Sequence, residues 1–236
     1  MCVAAVASAG SFSIDPVRIS LCEARPSAVM RVENRGDAAI TVQLQTFSWS
    51  QAEHRDALTL SRDLLATPQV FRLRPGQVQV VRIALLRPVD DKRELAYRLL
   101  LDEVPPPPAA DFRGLQMALR ISMPVFVQAR ASATADLAAA VIERDGQRRL
   151  QLVNRGHAHV QLNSLSLTSQ SMKATLPSDP GTASLYAHDK TIYVLAGQQQ
   201  ELALPADLAW PAGAALRLRA HTTDGARQWP VTESGH

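Results

Sequence analysis

The sequence predicts an all-β protein of two β-sandwich domains, and three observations predict it. Short stretches of alternating apolar and polar residues are separated by turns rich in Asn, Gly and Pro. Helical periodicity is almost absent along the 236 residues. A turn motif also recurs: Asn34-Arg35-Gly36-x-Ala38 returns as Asn154-Arg155-Gly156-x-Ala158, 120 residues on. Pro75-Gly76-Gln77 returns as Ala196-Gly197-Gln198 at nearly the same offset. Two matches in the same order point to two sandwiches of one topology.

The elements follow in order. MCVAAVASAG is small and apolar, and Ala7-Ser8-Ala9 has the A-x-A form of a signal-peptidase site, so residues 1–9 are expected to be the tail of a secretory leader. Ser11 to Leu21, SFSIDPVRISL, is expected as one strand with Val17, Ile19 and Leu21 on one side and Arg18 on the other. Ala28 to Glu33 gives a second strand, closed by the Asn34-Arg35-Gly36-Asp37 turn. Ile40 to Trp49 alternates next, Leu58 to Thr67 is mixed, and Val70 to Leu73 leads into Arg74-Pro75-Gly76, a type II turn signature. Val78 to Leu86 and Tyr97 to Val104 are two further strands. Pro105 to Pro108 is stiff and extended, and with AADFRG it makes a loop.

That loop enters LQMALRISMPVFV, from Leu115 to Val127, where every odd position is apolar. The pattern is a strand with one greasy face. Pro124 cannot donate to a ladder, which places the strand at an edge or a bulge. An apolar edge is a hazard that proteins blunt or cover, so its exposure would call for a use. RASATAD follows as a hinge, giving expected domains at 10–130 and 131–236. The second would run through Leu202 to Leu204 and Leu216 to Ala220 and end around Val231.

Composition narrows the function. Hydrophobic residues make up 46% and charged residues 20%, enough to build cores. The net charge is +3, carried almost wholly by arginine, since Lys92, Lys173 and Lys190 are the only lysines. No dense basic run with interleaved aromatics appears, which argues against nucleic acid. Dispersed arginine suits single carboxylate or phosphate contacts. No segment has the length of a membrane span, so no membrane insertion is expected. If cleavage follows Ala9, Cys22 is the remaining cysteine and makes no internal disulfide.

Catalytic signatures are missing: there is no G-x-S-x-G elbow, no phosphate-cradling glycine loop and no H-E-x-x-H. His157 and His159 have ligand-like spacing but lack an evident third ligand, so neither metal nor cofactor is expected. Glu53, Asp56, Asp102 and Glu103 form no evident acid/base pair, and no catalytic residue is expected.

SIDPVRISL, VENRGDAAITVQ, ATPQVFRLRPGQVQVVRI, YRLLLDEVP and LQMALRISMPVFV together carry a family resemblance. In these segments the chain resembles the PapD-like periplasmic chaperones of the chaperone–usher pilus pathway. The second half matches mainly in its N-R-G and Gly-Gln turns. F-S-W, D-E-V-P and S-M-P-V-F are similar to the archaic branch. The resemblance implies two Ig-like β-sandwich domains in a boomerang arrangement. It also implies partners: pilus (fimbrial) subunits that lack a final strand, and the outer-membrane usher that receives them. The free chaperone could also pair with itself to cover its edge. Capture would use donor-strand complementation, a form of β-strand addition in which main-chain hydrogen bonds give affinity and alternate side chains fill pockets.

The resemblance maps the donated residues to Leu115, Met117, Leu119 and Ile121. It implies that basic residues in the interdomain cleft anchor the subunit's C-terminal carboxylate. Arg18 matches the first-strand arginine. The family's second anchor, a lysine before an apolar-Phe pair, falls here on Pro124. Arg98 is the expected substitute and Arg120 the fallback. Two other classes stand beside this reading: an Ig-like structural pilus subunit or adhesin module, and a β-sandwich enzyme or metal protein using the histidine pair.

Overall fold

The computed structural model describes residues 12–53, 55–107, 117–170, 182–208 and 215–233. The leader reading for residues 1–9, the whole of AADFRG and the expected donor residue Leu115 lie outside them. Among the described residues every regular element is a strand. None is a helix long and apolar enough to cross a membrane. The all-β expectation holds.

Cα proximity divides the chain into two compact units: 1–49 with 58–91 and 95–130, and 50–57 with 92–94 and 131–236. The strands of the first half are β1 (Phe12–Asp15), β2 (Ile19–Leu21), β3 (Ser27–Asn34), β4 (Ile40–Ala52) and β5 (Arg55–Leu60). They continue with β6 (Leu64–Thr67), β7 (Val70–Leu73), β8 (Val78–Leu85), β9 (Leu95–Val104) and β10 (Arg120–Val127). One sheet runs β1-β3-β8-β6; the other runs β2-β10-β9-β4-β5, with β7 also on β4. Between them lies one core in which Met30, Val32, Val81 and Ile83 meet Ile19, Leu21, Tyr97, Leu99, Leu101, Met123, Val125 and Val127. Period-two alternation on both layers builds this sandwich.

SFSIDPVRISL is not one strand. It divides at Pro16 into β1, which pairs antiparallel with β3, and β2, which pairs parallel with β10 in the opposite layer. A proline lacks the N–H that a continuing ladder would use, so the chain changes sheets there. The strand expected from Leu115 begins instead at Arg120, and Met117 to Leu119 have no strand assignment. Leu119 nonetheless meets β9: its carbonyl accepts from the Glu103 N–H at 2.9 Å.

The second half holds β11 (Leu137–Arg144), β12 (Gln147–Asn154), β13 (Val160–Gln170), β14 (Thr182–His188), β15 (Ile192–Val194), β16 (Gln199–Ala203), β17 (Ala215–Thr222) and β18 (Gly225–Glu233). They hydrogen-bond in the order β14-β13-β17-β18-β11-β12-β16, with β15 on β13. Leu150, Leu152, Leu162, Leu167 and Leu218 share one core, so this path curls around its own apolar face. Asp145 and Gly146, both at positive φ, make the two-residue turn from β11 to β12.

The recurring motif is a recurring structure. Fully buried Asn34 donates from Nδ2 to the Ala38 and Leu73 carbonyls at 2.8 and 3.1 Å, and its Oδ1 accepts from the Gly36 N–H at 2.9 Å. Fully buried Asn154 repeats all three bonds, to Ala158 at 2.7 Å, Val194 at 3.0 Å and Gly156 at 3.0 Å. In each half the Asn N–H also donates to the glutamine carbonyl of the Gly-Gln turn, Gln77 or Gln198. Gly76 and Gly197 supply the positive φ those turns need. Each asparagine ties a strand end to a facing turn. Asn34→Ala, or Asn154→Ala, leaves two carbonyls and one N–H without that partner and is expected to cost about 3 kcal/mol. The shift in urea midpoint of the affected unit checks it.

Candidate functional site

β10 sits between two neighbours of unequal reach. β9 pairs with it along its whole length, from Arg120–Asp102 to Val127–Leu95. On the other side β2 covers Val125 to Val127 alone, so among the described residues no strand lies beside Arg120 to Pro124 there. The Leu119 carbonyl points to β9, and the Gln128 N–H points to β2. Odd residues of β10 therefore bond toward β9, and even residues present their backbone groups to the outer side. Arg120 and Ser122 offer N–H groups to that open edge. Pro124, where the edge ends, offers none, so its missing donor removes nothing from the β9 ladder.

The odd side chains trace a gradient along one face. Val127, Val125 and Met123 are buried in the first core, and Ile121 is half-buried against it. Leu119 is 37% exposed and Met117 66% exposed. The apolar face thus continues past the end of the core that its own domain supplies. A row of large apolar side chains beside unpaired N–H groups can receive another strand.

The even side chains lie on the opposite face. Continuing the β2–β10 register by one residue brings Arg18 level with Pro124. Across the next ladder Pro124 pairs with Arg98, and Arg98 in turn with Phe47. Arg18 and Arg98 therefore flank Pro124 in one row, two strand spacings, or about 10 Å, apart at the backbone. Arg18 is exposed; Arg98 is half-buried, its guanidinium 3.6 Å over the Trp49 ring. Two arginine forks in one row can grip a carboxylate. Arg120 is engaged elsewhere, ion-paired with Asp102 across the ladder.

Residues 11–131 match the family model described as pili and flagellar-assembly chaperone, PapD N-terminal domain. The chain belongs to the PapD-like pilus-chaperone family. Solved structures agree on the fold across both halves. A chain of the CsuC–CsuE chaperone–tip adhesion subunit pre-assembly complex of Acinetobacter baumannii is similar at a TM-score of 0.71 and 19% identity, over 95% of this chain and 100% of that one. The SafA pilin–SafB chaperone complex of Salmonella enterica gives 0.62 and 16%, over 93% and 95%. The CupB2 chaperone of Pseudomonas aeruginosa gives 0.59 and 18%, over 93% and 100%. A search of curated protein sequences found no match.

Behind the row, this PapD-like chain fixes β9 with a buried phenol. The Tyr97 hydroxyl donates to Asp63 Oδ2 at 2.9 Å, and Arg87 pairs with the same oxygen at 3.3 Å. Burial, followed by the bond to Asp63, pushes the Tyr97 phenol well above the usual tyrosine value. A raised phenol keeps its proton in the folded chain, so its contribution is full below the unfolded value of about 10 and falls as pH rises above it. Tyr97→Phe is expected to cost about 1–2 kcal/mol at neutral pH and to blunt that alkaline decline. Thermal unfolding at about pH 8 and about pH 10.5 checks both.

The histidine pair is separated by its bonds. His159 Nδ1 lies 2.6 Å from Glu94 Oε1, whereas the His157 backbone bonds Thr134 and Glu94. Among the described residues no group of three or more His, Cys, Asp or Glu is placed to hold a metal ion. Cys22 is a half-buried free thiol. Of the sequence-derived site residues, Ile121 lies on the apolar face of β10 with Leu119 one ladder step before it and Met117 exposed ahead of both, and Arg18 and Arg98 share the row on the other face. Trp49 and Asp102, which place Arg98 and Arg120, were not assigned those roles from the sequence. Their roles depend on cross-strand register, for which the linear sequence holds no marker.

Proposed function

We propose that the chain is a periplasmic chaperone of the chaperone–usher pathway, of the archaic type. It captures pilus subunits by lending the open edge of β10 and passes them to an outer-membrane usher. The observation that carries this reading is the apolar face of β10 running beyond its own core beside an edge that, among the described residues, no strand covers from Arg120 to Pro124. A subunit lacking its final strand would take Arg120 and Ser122 as main-chain donors and bury Met117 and Leu119, with Leu115 ahead of them and Ile121 at the margin. Each fully buried apolar side chain contributes roughly 1.5–3 kcal/mol before ordering costs. Methionine at position 117 adapts to pockets of differing shape. The subunit's C-terminal carboxylate would bind Arg18 and Arg98. No chemical step is required, and the reading is of a binding protein.

Two similar structures support the partner class: one is described as a chaperone–tip adhesion subunit pre-assembly complex, another as a pilin with its chaperone. Co-expression with a pilus subunit encoded beside this chain tests the proposal. The subunit is expected to stay soluble in the periplasm and to co-purify with the chain. A subunit equally soluble without it, or soluble but never bound, would contradict the reading.

A further inference from the structure

We infer that Trp49 is a positioning residue that aims the Arg98 guanidinium at the subunit's terminal carboxylate; this inference rests on the anchor reading above. Ser48 pairs with Tyr97, which places Trp49 level with Ala96, and Ala96 pairs with Phe126. The middle member of this row is an alanine, so the two large rings can meet across it. Their centroids lie 6.0 Å apart at 41°. Both are buried, Trp49 at 4% and Phe126 at 1% exposure, yet neither belongs to the sandwich core. They form a separate aromatic platform on the even face.

Arg98 lies one row further along and places its guanidinium 3.6 Å over the Trp49 centroid. Stacking uses the face of the guanidinium, whereas hydrogen bonds to a carboxylate use its edge, so the two can coexist. A long, rotamer-rich side chain held by its face loses less freedom when its edge binds. This explains how a cation on β9 can serve a place where β10 has Pro124. A lysine needs no such platform, being a point charge on a flexible stem. The fork of an arginine is directional, and Trp49 sets its direction.

The test measures how strongly the full chain prefers a carboxylate. The probe is a fluorescein-labelled peptide of alternating valine and threonine ending in a free carboxylate, compared with its C-terminal amide by fluorescence anisotropy. The wild type is expected to bind the carboxylate form at least about tenfold more tightly. Trp49→Leu is expected to cut that ratio about tenfold while binding the amide as before. Trp49→Phe, which keeps a ring face, is expected to stay within about threefold of the wild-type ratio. Equal ratios in wild type and Trp49→Leu would overturn the inference, as would equal loss of both peptides in Trp49→Leu and Trp49→Phe. A wild-type ratio of one would instead overturn the anchor reading, and this inference with it.

Discussion

Leu119→Asp is expected to abolish subunit capture and to leave the chaperone folded. Leu119 precedes the first residue of β10 and is 37% exposed, so its replacement removes little from the domain's own core. In a complex the same side chain would enter an apolar groove. There the change forfeits roughly 1.5–3 kcal/mol of burial and adds the cost of desolvating a carboxylate, several kcal/mol more. Affinity is expected to fall by more than about a thousandfold, with a urea midpoint within error of the wild type. Co-purification and urea unfolding read the two effects separately. Normal capture by Leu119→Asp would contradict the donor-strand reading.

The second large effect is expected from Arg18→Ala combined with Arg98→Ala. A charge-assisted bond contributes about 1.5–3 kcal/mol, so loss of both arginines is expected to weaken capture by about 3–6 kcal/mol. Pro124 lies opposite Arg98 and level with Arg18. Pro124→Lys in the Arg98→Ala background is therefore expected to recover about tenfold in affinity by returning a cation to the row. Competition binding against a subunit ending in an amide checks whether the loss belongs to the carboxylate. An amide-ended subunit that loses as much as the native one would contradict this assignment.

Local pattern carried the fold because the sandwich is built from local rules. Alternation marked Ile19 and Leu21, and the odd residues of β10. The Arg74-Pro75-Gly76 turn was legible because each residue type has one preferred place in it. The N-R-G repeat marked two asparagines, and their three shared bonds explain why the motif occurs in both halves. Where Pro16 interrupts SFSIDPVRISL, alternation could not show the change of sheet, since both pieces keep period two while their partners differ. The start of β10 was misplaced for a similar reason: apolar alternation continues through Met117 and Leu119, although regular pairing begins at Arg120.

The site was legible in part. The proposed donor face is a pattern along one stretch of chain, and such a pattern can be read directly. The proposed anchor is a pattern across three strands, and depends on Ile19 facing Val125 and Pro124 facing Arg98. The resemblance supplied Arg18, and the vacant lysine position prompted Arg98. Neither could reveal that Ala96 leaves room for Trp49 and Phe126 to form a platform. Cross-strand register is set by the whole sheet, so these contacts appear once it is assembled.

The main-chain edge is the part of the mechanism that side-chain substitution leaves untouched, and amide hydrogen exchange reads it directly. In the free chain the Arg120 and Ser122 N–H groups, which face the open side of β10, are expected to exchange rapidly, while those of Ile121 and Met123 are protected by β9. Binding of a pilus subunit is expected to slow exchange at Arg120 and Ser122 by at least about a hundredfold, with little change at Ile121 and Met123. A bound subunit that leaves Arg120 and Ser122 exchanging at their free rates would show that the edge is not donated.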